Sequence, residues 1–158
     1  MKTLVLGLGN PILRDDSVGL RVAQEVDRLI PTSPDIEVGL DYWGGLRLME
    51  RMIGFDRAII IDAICTGASP PGTLHLLNPD DIPTQRSASA HDVNLSTALE
   101  FGYTAGAHLP AVEDILLIGI EAADVQTFDE ALSPEVEDAL PAAVEAVMTA
   151  LSNATEDE

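Results

Sequence analysis

Cysteine, aromatic residues and basic residues are all scarce in this sequence of 158 residues. Its one cysteine, Cys65, excludes a disulfide within the chain and any cysteine-rich metal motif, so a reducing compartment is expected. Aromatic residues make up 4% of the chain and hydrophobic residues 46%, so the core must be aliphatic. An aliphatic core in a chain of this length is typical of a single α/β domain.

Positive charge is the second scarcity, because 8 lysines and arginines stand against 27 acids and the net charge is −19. Residues 1–79 hold ten acids and seven bases, whereas residues 80–158 hold 17 acids and a single base, Arg86. A surface this negative repels phosphate backbones, which argues against a nucleic-acid partner. Two interpretations remain open: the charge keeps the protein in solution, or it attracts a cation or a basic partner.

Long hydrophobic runs are also missing. No segment approaches the roughly 18 apolar residues that cross a bilayer, so no membrane partner is expected. The short apolar run after Met1 lacks a cleavage site and is interpreted as a first strand, not as a signal peptide. These features predict a cytoplasmic protein.

Strand-like and helix-like segments alternate along the chain. Hydrophobic patterns and turn residues predict strands at 3–8, 36–40, 57–62, 73–77 and 114–121, and helices at 18–30, 44–52, 93–103 and 134–151. This alternation predicts an α/β fold with a mostly parallel sheet and helices on both faces. The chain is interpreted as one domain, 1–151, followed by a frayed acidic tail, 152–158.

Polar groups follow several of the predicted strands, where open parallel sheets form their sites. These groups are the loop 7–16, Asp62, the segment that holds His91, and Glu121. Asp62 follows three isoleucines and is partly desolvated, so it needs a partner: a metal, a helix end or an arginine. Of the pair Asp15 and Asp16, one is expected to cap the next helix and the other to face the crevice.

His91 precedes a predicted helix, whose positive end keeps the imidazole neutral and able to bind a metal. The alternative is a surface histidine that only satisfies the helix end. With Asp16 and Asp62 it forms an oxygen and nitrogen set suited to a divalent ion. His75 is expected to form a local hydrogen bond, and no companion is predicted for His108.

The loop after the first strand, Gly7-Leu-Gly9-Asn10-Pro11-Ile12, begins like a dinucleotide-binding fingerprint. Ile12 stands where that motif has its third glycine, and Pro11 obstructs a tight phosphate turn. Gly7 and Gly9 are better explained by a sharp strand exit with close backbone packing.

An ordered set of short motifs resembles the endopeptidases that mature nickel–iron hydrogenases. The motifs are Gly7-Leu-Gly9-Asn10, Asp15-Asp16 with Gly19, Gly44-Gly45-Leu46-Arg47-Leu48-Met49, Ile60-Ile61-Asp62-Ala63, Pro71-Gly72, Ser89-Ala90-His91, Gly119-Ile120-Glu121 and Leu132-Ser133-Pro134-Glu135-Val136. The resemblance implies a three-layer α/β/α sandwich, phosphorylase/hydrolase-like. It also implies an enzyme that removes a C-terminal peptide from the nickel-loaded large-subunit precursor of a hydrogenase.

The resemblance further implies the roles of individual residues. Asp16, Asp62 and His91 contact the nickel, which belongs to the substrate, so no cofactor is permanently bound. Asp16 and Asp62 are the candidate catalytic acids of an aspartyl protease-like site. The residues expected to support the loop after the first strand are Gly7, Gly9, Asn10 and Asp15. A monomer is expected.

Two departures from the family pattern are Ser17, in place of a glycine, and Ala122, in place of a proline. Because Ala122 follows Glu121 directly, no role is predicted for Glu121. Two other functions compete. A peptidyl-tRNA hydrolase also begins with Gly-Leu-Gly-Asn-Pro, but it needs a histidine in the next loop and a basic surface. A non-enzymatic nickel-binding assembly partner would use the same three ligands.

Overall fold

The computed structural model describes residues 1–42, 45–81 and 95–156. Its strands and helices, in chain order, are β1 (Thr3–Leu8), α1 (Val18–Leu29), β2 (Ile36–Asp41), α2 (Leu46–Arg51), β3 (Arg57–Ile64), β4 (Leu74–Leu77), α3 (Leu95–Thr104), β5 (Ile115–Glu121) and α4 (Pro134–Glu156). Short 3-10 turns lie at Arg14–Ser17, Pro79–Asp81 and Val112–Asp114.

The described strands form one sheet in the order β2-β1-β3-β5-β4. The first four strands in this order run parallel, and β4 runs antiparallel to β5 at the edge. The carboxyl ends of β1, β3 and β5 therefore lie side by side at one edge, and the amino end of β4 joins them there. The predicted alternation of strands and helices is confirmed.

Side chains that alternate along the strands build two aliphatic cores, one on each face of the sheet. One core packs the sheet against α1 and α4 through residues such as Val5, Ile59 and Ile118. The other packs it against α2 and α3 through Leu6, Ile60 and their neighbours. The prediction of an α/β/α three-layer sandwich with an aliphatic core is confirmed.

Several predicted boundaries differ from the observed ones, notably the ends of β3 and α4. β3 continues to Ile64, beyond its predicted end at Asp62, because Ala63 and Ile64 still pair with Ile120 of β5 and with Glu121. Helix α4 continues to Glu156, so the prediction of a frayed tail from residue 152 is wrong up to that point. The domain at 1–151 stays a prediction. The irregular segment expected at 82–90 and the residue Gly44 lie outside the described residues.

The helices are short or interrupted by charge. Within residues 1–42, 45–81 and 95–156, no helix combines the length and the apolar character needed to cross a bilayer.

Candidate functional site

Glycines bring the start of α1 into direct contact with the ends of two strands. A methyl group on Gly19 would lie 2.3 Å from the carbonyl oxygen of Ile61 and 2.5 Å from that of Leu8. One on Gly9, where φ is +148°, would lie 1.9 Å from the carbonyl oxygen of Asp16. The backbones pack with no room for a side chain, which confirms the interpretation of this loop as a strand exit with close packing.

Asp16 is thereby held beside the carboxyl end of the sheet. It belongs to the 3-10 turn that precedes α1 and is 6% exposed, and its Oδ2 accepts a hydrogen bond of 3.0 Å from the backbone N–H of Asn10. The prediction that one acid of the pair caps α1 is wrong, since Ser17 occupies the N-cap without a side-chain bond. The Ser17 hydroxyl instead donates to the carbonyl of Arg14 at 2.7 Å.

Asp62 lies near the end of β3, opposite Gly119 of β5, and is partly buried. Burial raises the pKa of its carboxyl well above the ordinary value, and the negative charge of Asp16 raises it further. The backbone N–H of Ala63, which donates to Oδ1 at 2.9 Å, acts in the opposite direction. Asp16 and Asp62 are thus brought together at one edge, close enough for their charges to repel.

Asp15 joins two loops. Its carboxylate is fully buried and accepts hydrogen bonds from the backbone N–H groups of Ala123 and Asp124, both at 2.9 Å. It also accepts bonds from the backbone and hydroxyl groups of Ser133, at 2.7 and 2.8 Å. Asp15 therefore ties the loop after β1 to the segment that follows β5.

Glu121 has a structural role that the sequence did not reveal. It is 2% exposed, accepts hydrogen bonds from the backbone and hydroxyl of Thr66, and lies 3.3 Å from Nε2 of His75. Burial acts to raise the pKa of Glu121, but these bonds and one from Gly67 lower it below its ordinary value overall. Glu121 holds the turn after β3 in place through its bonds to Thr66. The sequence feature that could have indicated this role is an acid at the end of a buried strand.

The pKa of Cys65 reflects the negative charge at the carboxyl edge of the sheet. Burial raises the pKa of its thiol, and the negative charges of Glu121, Asp16, Asp62 and Asp15 raise it further. A protonated thiol is a poor nucleophile, which argues against cysteine chemistry. The edge instead presents a concentration of negative charge suited to a cation.

The two histidines that the structure describes, His75 and His108, lie at opposite ends of the sheet strands. His75 pairs with Glu121 at the carboxyl edge, from the neighbouring strand. His108 lies 3.0 Å from the carboxylate of Asp56, just before β3 begins, so it lies at the opposite end of that strand from Asp62. His91 lies outside the described residues, so its predicted place beside the two acids stays a prediction. Among the residues that are described, no three acids, histidines or cysteines form a metal-binding group.

The sequence of this chain is similar to those of known hydrogenase maturation proteins. The family of hydrogenase maturation proteases (HycI) matches residues 43–150, more than half of the chain. The Hydrogenase 2 maturation protease of Escherichia coli K12 is 28% identical over 153 residues, which cover 96% of this chain and 91% of that protein. HupD of Rhizobium leguminosarum bv. viciae, a hydrogenase expression/formation protein, is 29% identical over 95% of this chain and 74% of its own length.

The solved structure of the hydrogenase maturating endopeptidase HybD from E. coli superposes with a TM-score of 0.82 at 29% identity. The superposition covers 98% of this chain and 94% of that one. HycI from Thermococcus kodakarensis has the same fold, with a TM-score of 0.71 at 21% identity. The chain belongs to the family of hydrogenase maturation proteases.

Proposed function

We propose that this protein removes a C-terminal peptide from the large-subunit precursor of a nickel–iron hydrogenase after nickel has been inserted. Asp16, Asp62 and His91 contact that nickel, which arrives with the substrate, and the protease holds no permanent metal of its own. Family membership supports the reaction class, because the related proteins are maturation proteases and endopeptidases.

The main support for nickel recognition is the repulsion between the carboxylates of Asp16 and Asp62. Both carboxylates lie at one edge of the sheet, and the charge of Asp16 helps to raise the pKa of Asp62. A divalent cation between them would relieve this repulsion, whereas without it their charges oppose each other. Carboxylate oxygens with one imidazole suit a borderline divalent ion such as nickel.

Hydrolysis then needs a water and a polarised carbonyl. The nickel of the substrate would polarise the scissile carbonyl, and one carboxylate would orient the attacking water. Asp62 suits proton transfer because its pKa is raised above that of an ordinary aspartate. The water oxygen bonds to the carbonyl carbon, the carbon–nitrogen bond breaks, and the departing amine takes up the proton.

The competing functions have less support. A peptidyl-tRNA hydrolase needs a basic surface, and this chain carries a net charge of −19 with no histidine before His75. A nickel carrier without activity would use the same ligands, but the matched family consists of proteases. The cytoplasm, with its reduced thiols, is proposed as the compartment because the single cysteine forms no disulfide within the chain. A monomer is proposed as the working form.

The site is tested by replacing each proposed ligand. Asp16→Asn, Asp62→Asn and His91→Ala are expected to fold but to cut a nickel-loaded precursor at least about 100-fold more slowly. The mass of a co-expressed large subunit, with and without its C-terminal peptide, gives the readout. Asp27→Asn, an exposed aspartate of α1, is the matched control and should process normally. A His91→Ala variant that cuts at the normal rate would remove the basis for metal recognition.

Nickel dependence is tested separately with a precursor that lacks nickel. The wild-type protease is expected to leave it intact, because the two carboxylates then have no cation to bind. Full-speed cleavage of the nickel-free precursor would show that the site recognises peptide and not metal.

A further inference from the structure

Two large apolar side chains project into solvent beside the acidic edge. Phe128, in the segment after β5, is 79% exposed, and Ile12, in the loop after β1, is 48% exposed. The two residues are neighbours, because Leu13 and Asp129 form a parallel bridge that sets Ile12 beside Phe128. We call this pair the apolar rim. Contiguous exposed apolar surface, unlike a single exposed side chain, marks a candidate interaction site.

The backbone under the apolar rim is fixed by hydrogen bonds. The N–H of Asp129 donates to the carbonyl of Ile12 at 3.0 Å, and the N–H of Arg14 donates to the carbonyl of Asp129 at 2.9 Å. Behind them, the buried carboxylate of Asp15 binds both ends of the segment, at Ala123 and at Ser133. A surface already ordered in the free protein loses little entropy on binding, which favours specific association.

The apolar rim shares the loop after β1 with the proposed active site, because Ile12 lies a few residues before Asp16. Asp15, which anchors the Phe128 segment, directly precedes Asp16, and both belong to one short turn. A substrate whose scissile bond reaches Asp16 therefore lies within reach of the rim. This contiguity argues for the substrate protein as the occupant.

The charge around the rim indicates the chemistry of that occupant. The segment that contains Phe128 also contains three acids, Asp124, Asp129 and Glu130. They outnumber the one nearby base, Arg14. Arg14 itself is engaged, by Asp129 at 3.7 Å and by the hydroxyl of Ser133 at 3.1 Å. An apolar centre with an acidic border matches an apolar patch bordered by lysine or arginine.

We infer that the apolar rim, Ile12 and Phe128, is the docking surface for the folded body of the hydrogenase large-subunit precursor, which it binds through an apolar patch with a basic border. This inference rests on the proposed function and deepens it, because the rim binds the precursor outside the peptide that is removed. Docking energy comes from the rim, and bond cleavage depends on the acids behind it. A few anchoring side chains, aromatic ones above all, commonly supply most of the affinity of such a surface.

The test is the dependence of the cleavage rate on precursor concentration, measured with purified protease and nickel-loaded precursor. Phe128→Ala is expected to raise KM at least about 10-fold and to leave kcat near the wild-type value. Ile12→Ala should raise KM by a smaller factor, and Phe128→Trp should keep a low KM. Phe101→Ala removes another exposed aromatic side chain, from α3, and is the matched control with an expected wild-type KM.

Several results would overturn the inference, and the first three are kinetic. They are a wild-type KM for Phe128→Ala, an equal rise in KM for Phe128→Ala and Phe101→Ala, and a fall in kcat with no change in KM. A wild-type protein that sediments as a dimer, and as a monomer after Phe128→Ala, would assign the rim to a second copy instead and would also overturn it. Failure of the proposed function is distinct, because the wild-type protein would then cut no precursor at any concentration.

Discussion

Asp62 is held in surroundings that disfavour its own charge. It is partly buried, the negative charge of Asp16 acts on it, and its pKa lies well above the ordinary value. Perturbed carboxyl groups of this kind concentrate at functional sites, where they cost the folded state some stability. The charge pair that suits cation recognition should therefore weaken the free protein at neutral pH.

Asp62→Asn is expected to be more stable than the wild type at pH 7. Because folding raises the pKa of this carboxyl, the folded state binds the proton more tightly than the unfolded state does. The protonated carboxyl therefore stabilises the fold at low pH. This stabilisation is lost as the pH rises from about 4 to the raised pKa. The advantage of the asparagine variant should therefore grow over that range and then level off. Thermal unfolding at several pH values measures it, with Asp27→Asn as the control, and a variant less stable than the wild type at pH 7 would contradict the argument.

At the scale of secondary-structure elements, the site depends on how closely α1 approaches the sheet. Gly19, in the first turn of the helix, faces the carbonyl oxygens of Ile61 in β3 and Leu8 in β1. The contact is backbone to backbone, so neither partner can rotate away. Helix, strand ends and the Asp16 turn are thereby set as one unit.

Gly19→Ala is expected to destabilise the protein by about 1–3 kcal/mol or more, because the new methyl group overlaps fixed carbonyl oxygens. Gly102→Ala is the matched comparison, since Gly102 is also helical but its methyl group would meet the flexible side chains of Leu109 and Met49. Urea denaturation should show the larger loss for Gly19→Ala. Equal losses would mean that α1 can shift away from the sheet without cost.

The sequence predicted these elements well wherever local pattern decides them. Helices α1 and α4 begin at the predicted residues, Val18 and Pro134, although no acid caps α1. The end of β3 could not be read locally, because Ala63 and Ile64 stay in the strand only by pairing with a segment more than fifty residues away. The direction of β4 is likewise set by its pairing with β5, and a run of four residues carries no signal for it.

The candidate site was predictable to the same extent. Strand order alone places the Asp16 loop and Asp62 at one edge, and the structure confirms that convergence. The partners of buried polar groups were not predictable, because they lie far apart in sequence. Glu121 binds Thr66, and His108 binds Asp56, each across more than fifty residues.

At the scale of the whole molecule, negative charge dominates. The described ion pairs between basic side chains and acids, such as Arg51 with Glu37 and Arg28 with Glu25, neutralise few of the 27 acids. Like charges spread over a compact surface repel one another and favour the expanded chain. The excess lies in residues 80–158, a range that includes α4 and the Phe128 segment. The same negative charge that suits a basic partner thus lowers the stability of the free protein.

Added salt is therefore expected to stabilise this protein. Raising sodium chloride from about 0.01 M to 1 M shortens the screening length from roughly 30 Å to 3 Å, which removes most of the repulsion between surface acids. The melting temperature at pH 7 should rise by several degrees across that range. Asp138→Lys, on the exposed side of α4, lowers the net negative charge by two and should melt higher at low salt with a weaker response to added salt. A melting temperature that stays flat or falls with salt would contradict the argument, because it would show that repulsion between the acids costs little stability.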